Sequence, residues 1–269
     1  MIYSNLKGGL GNMMFQIAAT RAISLSKNTN YSFPNLHDHI NYLSVENTYN
    51  PNVNYCSEYL NLPFLKNVNT SKSFLSINRI NYPFHFENIL IPTLNVVIDG
   101  FFQSEKYFKN YEKEILELFL PDKKITNYIK KKYFNLFLER TTSIHVRRGD
   151  YIRNCEYHFV QDMDYFTQSI EIVDSKTDKY IIFSDDINWC KENFKGNKFL
   201  FIENEKDYIE LYIMSMCTNN ITSNSSFSWW GAWLNQNKNK TVIAPKNWFG
   251  SSLQHLNTED IIPDNWIKI

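Results

Sequence analysis

Eight consecutive residues, Ile144-His145-Val146-Arg147-Arg148-Gly149-Asp150-Tyr151, hold an imidazole, two guanidiniums and a carboxylate. A guanidinium stays charged and presents a planar fork of N–H donors, which matches phosphate oxygens. Two in a row at the end of a β-branched run suggest an anion site, most simply for a diphosphate. A surface salt-bridge cluster would carry the same residue types, so position has to decide. Two further clusters bear on it. Ser184-Asp185-Asp186 puts adjacent carboxylates after an apolar run. Ser223-Asn224-Ser225-Ser226-Phe227-Ser228-Trp229-Trp230 opens a helix with hydroxyls and an amide. The N-terminus of a helix offers free backbone N–H groups and positive potential, which also suits an anion. Helix capping alone would explain the serines equally well.

The elements around these clusters alternate. Strands are predicted over 142–146, 180–183, 198–202, 220–222 and 241–244. Helices are predicted over 163–173, 187–194, 205–217 and 226–236. That rhythm predicts a parallel sheet with right-handed crossovers and helices on both faces. Ligands bind beyond the carboxyl ends of strands in such sheets, and all three polar clusters fall at carboxyl ends. They should therefore share one crevice.

The first half opens as strand (1–6), glycine turn (Lys7-Gly8-Gly9-Leu10-Gly11-Asn12) and helix (12–27), in the manner of a Rossmann unit. The glycines fit neither G-x-G-x-x-G nor a Walker A loop. Residues 28–90 give weak signals and are expected to be irregular. A strand is expected over 94–98, a helix over 105–120 capped by Ser104, and a second helix over 122–139 whose Lys130-Lys131-Lys132 run is a solvated face. The domain boundary is expected between 120 and 141, giving an N-terminal domain 1–130 and a C-terminal domain 131–269.

Lys plus Arg equals Asp plus Glu at 28 each, which removes the basic excess typical of nucleic-acid binders. The four cysteines are widely spaced with no C-x-x-C, as expected of reduced thiols rather than a zinc ribbon or disulfide framework. Neither a signal peptide nor an apolar run of membrane-spanning length is visible. A cytoplasmic protein is expected, attached to the inner face of the membrane at most peripherally. Asp185-Asp186 lacks the D-x-D spacing of a metal–nucleotide clamp. These carboxylates could meet a ribose or base, orient an arginine or cap the next helix. His37-Asp38-His39 has no third ligand in view and reads as a surface turn rather than a zinc site. The RGD tripeptide at 148–150 and the sequon Asn224-Ser225-Ser226 need an extracellular setting to matter.

Four motifs together resemble the bacterial and animal α-1,2-fucosyltransferases: Gly8-Gly9-Leu10-Gly11-Asn12-Met13-Met14-Phe15-Gln16, HVRRGDY at 145–151, FSDD at 183–186 and SNSSFSWWGAWL at 223–234. More distantly they resemble the α-1,6- and protein O-fucosyltransferases that share H-x-R-R-x-D. Met13 departs from the glutamine common in the family. The resemblance implies an α/β, GT-B-like fold of two Rossmann-like domains. GDP-fucose would lie mainly on the C-terminal domain, 131–269, with the cleft facing the N-terminal domain, 1–130, as the acceptor side. It implies an inverting, metal-independent hexosyltransferase that moves L-fucose from GDP-β-L-fucose to the 2-hydroxyl of a terminal β-galactoside in glycan biosynthesis. GDP-fucose is then a co-substrate and no cofactor is needed. Arg147 and Arg148 would stabilise charge on the leaving diphosphate, with donors from Ser225 and Ser226. Asp150 would brace the arginines or the nucleotide. His145, Ser184, Asp185 and Asp186 would place the nucleoside, with Gly11, Asn12, Asn224 and Phe227 completing the donor contacts. Asn12 would lie close to the reacting centre. Inversion needs a base for the acceptor proton; Asp150 and a carboxylate in the N-terminal half are both candidates. Two other readings remain: a dinucleotide-dependent oxidoreductase, from the N-terminal strand–glycine–helix, and a non-catalytic glycan-binding protein, from the 16% aromatic content.

Overall fold

The structure, a computed structural model, describes residues 1–46, 58–66, 68–71, 78–88, 90 and 95–269. The chain divides into two compact units: Met1–Leu120 with Asn257–Pro263, and Pro121–Leu256 with Asp264–Ile269.

In the first unit, β1 (Ile2–Ser4), β2 (Tyr31–Ser32), β3 (Asn78–Asn81) and β4 (Val96–Asp99) form an all-parallel sheet of order β2-β1-β4-β3. Helix α1 (Leu10–Ser26) follows the glycine turn and is buried along most of its surface, including Phe15, Ala18, Ala19 and Ala22. It ends where Asn28 takes a left-handed φ of 44°. The Asn28 N–H then donates to Leu25 O and the Thr29 N–H to Ser24 O, which satisfies two end carbonyls. Inside the stretch expected to be irregular, α2 (Leu36–Glu46), β2 and β3 are regular. The 47–57 and 72–77 parts of that stretch lie outside the described residues. The helix expected over 105–120 is two 3-10 turns, Glu105–Tyr107 and Lys109–Tyr111, followed by α3 (Glu112–Phe119).

The second unit has α4 (Lys123–Lys132), β5 (Thr141–Val146), α5 (Gly149–Arg153), α6 (Met163–Val173), β6 (Lys179–Ser184), α7 (Ile187–Asn193), β7 (Phe199–Phe201), α8 (Asp207–Met216), β8 (Asn219–Ile221), α9 (Ser226–Trp233), β9 (Val242–Ala244) and β10 (Ile267–Lys268). Its six strands are all parallel, in the order β10-β9-β8-β5-β6-β7. Every residue of β5 is buried, as a central strand requires. From β5 the chain builds outward through β6 and β7, then returns to the other side for β8 and β9. The order thus reverses at β5, a topological switch point.

The division between the units falls at Leu120–Pro121 rather than at 130–131. Tyr128, Lys132 and Tyr133 all hydrogen-bond to Glu205, just ahead of α8, so α4 belongs to the second unit. Pro121 and the Asp122 cap, whose carboxylate accepts from the Ile125 N–H, start that unit. The expected helix to 139 stops at Lys132 and continues as a 3-10 segment, Phe134–Leu138. No described helix is long and apolar enough to cross a membrane.

Candidate active site

All three polar clusters emerge at carboxyl ends of the second sheet, on the strands around its switch point. β5 carries HVRRGDY, β6 the Ser184-Asp185-Asp186 turn, and β8 the Ser/Asn loop into α9.

His145 is buried, and its Nδ1 lies 2.8 Å from Ser223 Oγ, joining β5 to the β8 loop. Its ring packs 5.5 Å from that of Phe227. Burial pushes its pKa down to about 3; Asp185 opposes that shift and Arg147 adds to it. The imidazole is therefore neutral near pH 7.

Arg147 sits between two carboxylates. Its Nη1 is 3.0 Å from Asp185 Oδ2, and its Nη2 is 2.7 Å from Asp150 Oδ1. The Asp150 contact is an ion pair without the alignment of a hydrogen bond. Burial works against the guanidinium charge, but Asp185 and then Asp150 outweigh it and raise the pKa. Its guanidinium also faces the Tyr151 ring at 5.5 Å, and Tyr151 stacks on His158. Arg148 is held differently. Its backbone N–H donates to Asp185 Oδ1 at 2.9 Å, its Nε to Asp186 Oδ2 at 3.2 Å, and its guanidinium lies 4.0 Å over the Trp189 ring. Each arginine keeps 18% of its side chain exposed, so both are aimed rather than sealed.

Asp185 and Asp186 therefore orient arginines. Asp186 also caps α7 through the Trp189 N–H, and Ser184 Oγ accepts the Asp186 N–H to hold the turn. Gly149 makes this possible. A Cβ there would stand 2.8 Å from Asp185 Oδ2.

Asn224 is buried and its amide is fully engaged inside the protein. Its Nδ2 donates to the carbonyls of Phe159 and Trp248, and its Oδ1 accepts from Gln161. Its backbone carbonyl accepts from Tyr151 Oη. Asn224 thus shapes the loop, while Ser225 at the N-cap, Ser226 and Phe227 form the open first turn of α9. The Ser225 hydroxyl makes no cap hydrogen bond, so the leading N–H groups of α9 are not satisfied by it. Trp229 and Trp230 are core residues, and Gly231 lets α8 approach closely through Met214.

Gly11 and Asn12 lie in the first turn of α1, in the other unit. Asn12 Oδ1 accepts from Gln103 Nε2 at 2.7 Å. Gly8 has φ +75°, and a Cβ there would strike Asn12. His39 Nε2 meets the Gly8 carbonyl at 2.8 Å. The 37–39 segment is thus the first turn of a helix that supports the glycine loop, not a surface turn.

One acid couples electrostatically to Asp185 and does not stand out in the sequence. Glu210 on α8 is shielded enough that burial, then the carboxylates of Asp207, Glu205 and Asp185, push its pKa well above the usual carboxylate range. Its signal in the sequence was a single acid inside Tyr208-Ile209-Glu210-Leu211-Tyr212-Ile213. Of the cysteines, Cys155, Cys190 and Cys217 are free thiols, and Cys56 lies outside the described residues.

The sequence model of glycosyl transferase family 11 matches residues 1–269. The chain belongs to that family. It is 29% identical to the O-antigen biosynthesis glycosyltransferase WbnK of Escherichia coli over the whole of both chains. It is 30% identical to an alpha-1,2-colitosyltransferase of the same species, over 100% of this chain and 99% of that one. Among solved structures, the NodZ alpha-1,6-fucosyltransferase matches with a TM-score of 0.51 at 11% identity, covering 87% of this chain and 91% of that one. POFUT1 matches with a TM-score of 0.52 at 12% identity, covering 90% and 97%. The fold is accordingly α/β and GT-B-like, and this family 11 member is a glycosyltransferase. The oxidoreductase and lectin readings end there.

Proposed function

We propose that the protein transfers L-fucose from GDP-β-L-fucose to the 2-hydroxyl of a terminal β-galactoside, with inversion and without a metal, in bacterial glycan assembly. The observation that carries this reading is the pair of arginines at the switch point of the second sheet, Arg147 held by Asp185 and Asp150 and Arg148 by Asp186, with the first turn of α9 on the neighbouring β8 loop. When the sugar–phosphate bond breaks, negative charge grows on the diphosphate. Two fixed guanidiniums and the α9 N–H groups would stabilise that charge with no reorganisation. Divalent metals serve this role in other transferases; here the nearby carboxylates already hold the arginines. Asp150, paired with Arg147, acts as a positioning residue for that guanidinium.

The colitosyltransferase relative supports one alternative, a donor sugar lacking the 3-hydroxyl. Incubation with GDP-fucose or GDP-colitose and a panel of β-galactosides, followed by NMR of the product, tests the proposal. A new α-1,2 linkage from GDP-fucose is expected. Transfer only from GDP-colitose would correct the donor, and transfer to another hydroxyl would correct the linkage. The basic helix α4 and the exposed Phe134 and Leu138 that follow it suit peripheral attachment to an anionic membrane, consistent with work at the cytoplasmic face.

A further inference from the structure

The parallel sheet of the first unit has its own carboxyl edge, and a cavity of about 300 Å³ opens there. It lies beyond the ends of β1, β3 and β4, where an open α/β sheet binds ligands. Tyr82, Phe84 and Phe101 supply an aromatic wall, and Phe84 and Phe101 stack at 5.4 Å. Lys7, Asn81 and Asp99 supply polar groups. Lys7 Nζ is 2.7 Å from Asp99 Oδ1 and 4.7 Å from the centre of the Phe101 ring.

The backbone here is built under constraint. Phe102 is buried with φ +53°, in the left-handed region that bulky residues rarely adopt. A Cβ on Gly100 would stand 3.1 Å from Tyr82 Cβ and 3.3 Å from the Tyr82 carbonyl. The same short segment presents Phe101 to the cavity, sends Phe102 into the core and brings Gln103 to Asn12. Gln103 Oε1 is buried with no hydrogen-bond partner. The cavity wall and the glycine-loop asparagine are thus fixed by one piece of chain.

We infer that this cavity is the acceptor subsite, and that it binds a pyranoside ring of the acceptor glycan between its aromatic wall and the Lys7–Asp99–Asn81 group. Its volume is at the lower end of small-molecule sites, which suits a single sugar unit rather than a sugar nucleotide. A pyranoside has a C–H face for aromatic rings and hydroxyls that both donate and accept. An ammonium donates, a carboxylate accepts and an amide does both, so the three polar residues cover that inventory. Asp99 is bridged by Lys7 and, at 3.3 Å, by Arg79 Nη1, so its carboxylate is held in place at the rim. This inference rests on the transfer reaction proposed above, with a β-galactoside as acceptor.

The test uses the full chain with Phe101→Ala and, because Asn81 is exposed and its loss should not disturb folding, Asn81→Ala. Saturation-transfer NMR with methyl β-galactoside, without any donor, reads sugar binding directly. GDP affinity is measured in parallel by calorimetry. The wild type should show saturation transfer that Phe101→Ala abolishes and Asn81→Ala reduces. In transfer assays the acceptor KM should rise about tenfold or more in Phe101→Ala, with GDP affinity unchanged. No saturation transfer in the wild type with methyl β-galactoside or other methyl pyranosides overturns the inference. So does full transfer in both variants, or an equal loss of GDP affinity, which would make the cavity part of the donor site. Sugar binding lost in the variants while the transferred sugar is not fucose would keep this subsite and reject only the donor assignment.

Discussion

Arg148 lies with its guanidinium 4.0 Å over the ring of Trp189, and the Asp186 carboxylate that caps the Trp189 helix also takes the Arg148 Nε. One short helix therefore fixes this arginine by stacking and by charge together. An ammonium on a flexible stem has no flat face to stack on the indole and no Nε–H held in fixed geometry for Asp186.

Arg148→Lys is accordingly expected to lower turnover by about 10²–10³, the size of effect seen when one fixed charge-stabilising donor is lost. The folded state should survive, since the guanidinium is partly exposed. Trp189→Leu should weaken turnover less, because Asp186 remains. Steady-state kinetics and a thermal melt on both variants check this. Wild-type turnover in Arg148→Lys would remove Arg148 from the chemistry.

Gly149→Ala tests the bracing carboxylate without removing any charge. The added methyl would stand 2.8 Å from Asp185 Oδ2, an atom already bonded to Arg147. Asp185 must move, and both its arginine contacts move with it. A loss of about tenfold in kcat/KM is expected from such misplacement, with little change in melting temperature. Unaltered kinetics would mean that the Asp185 position is not critical.

His145 makes stability depend on pH. Its folded-state pKa is pushed down to about 3 from an ordinary 6.5, so at intermediate pH the unfolded chain binds a proton that the folded chain refuses. Stability from this group is full above 6.5 and falls as pH drops toward 3, by about 1.4 kcal/mol per pH unit well inside that window. His39 and His158 shift in the same direction, chiefly through burial. The slope due to His145 is therefore read as the difference between wild type and His145→Asn in urea unfolding at pH 7 and pH 5. The variant should show the shallower pH dependence; identical slopes would contradict a buried neutral imidazole.

Chelation separates arginine from metal catalysis. Transfer is expected to persist in excess EDTA, since Asp185 and Asp186 are already engaged with Arg147, Arg148 and the α7 N-terminus. Activity that vanished with EDTA and returned only with Mn²⁺ would reverse that reading.

The second unit was legible in the sequence because its strands and helices alternate with clear periods. The helix expected over 163–173 has those bounds, and the switch point follows from the strand order once pairing is known. Pairing is a tertiary property, so the sequence placed the three polar clusters on one edge without saying which carboxylate meets which arginine. Asp185 could have faced a ribose; its contacts with Arg147 and with the Arg148 backbone depend on the missing side chain of Gly149. Glu210 does not stand out in the sequence because an acid on a helix is usually solvated. The short strands β2 and β3 were invisible amid Asn and Tyr, since their pairing with β1 and β4 rather than local propensity makes them strands.

The return of residues Asn257–Pro263 to the first unit has a consequence for biosynthesis. Asp260 is buried there, accepts from the Phe86 N–H and pairs with Lys106. A ribosome must deliver all of residues 121–256 before that carboxylate exists. The second unit can mature on emergence apart from its own final strand, while the first waits for Asp260. A nascent chain arrested before residue 257 should therefore hold residues 1–120 in a protease-sensitive state, and the usual order of domain folding, first made and first finished, would not apply.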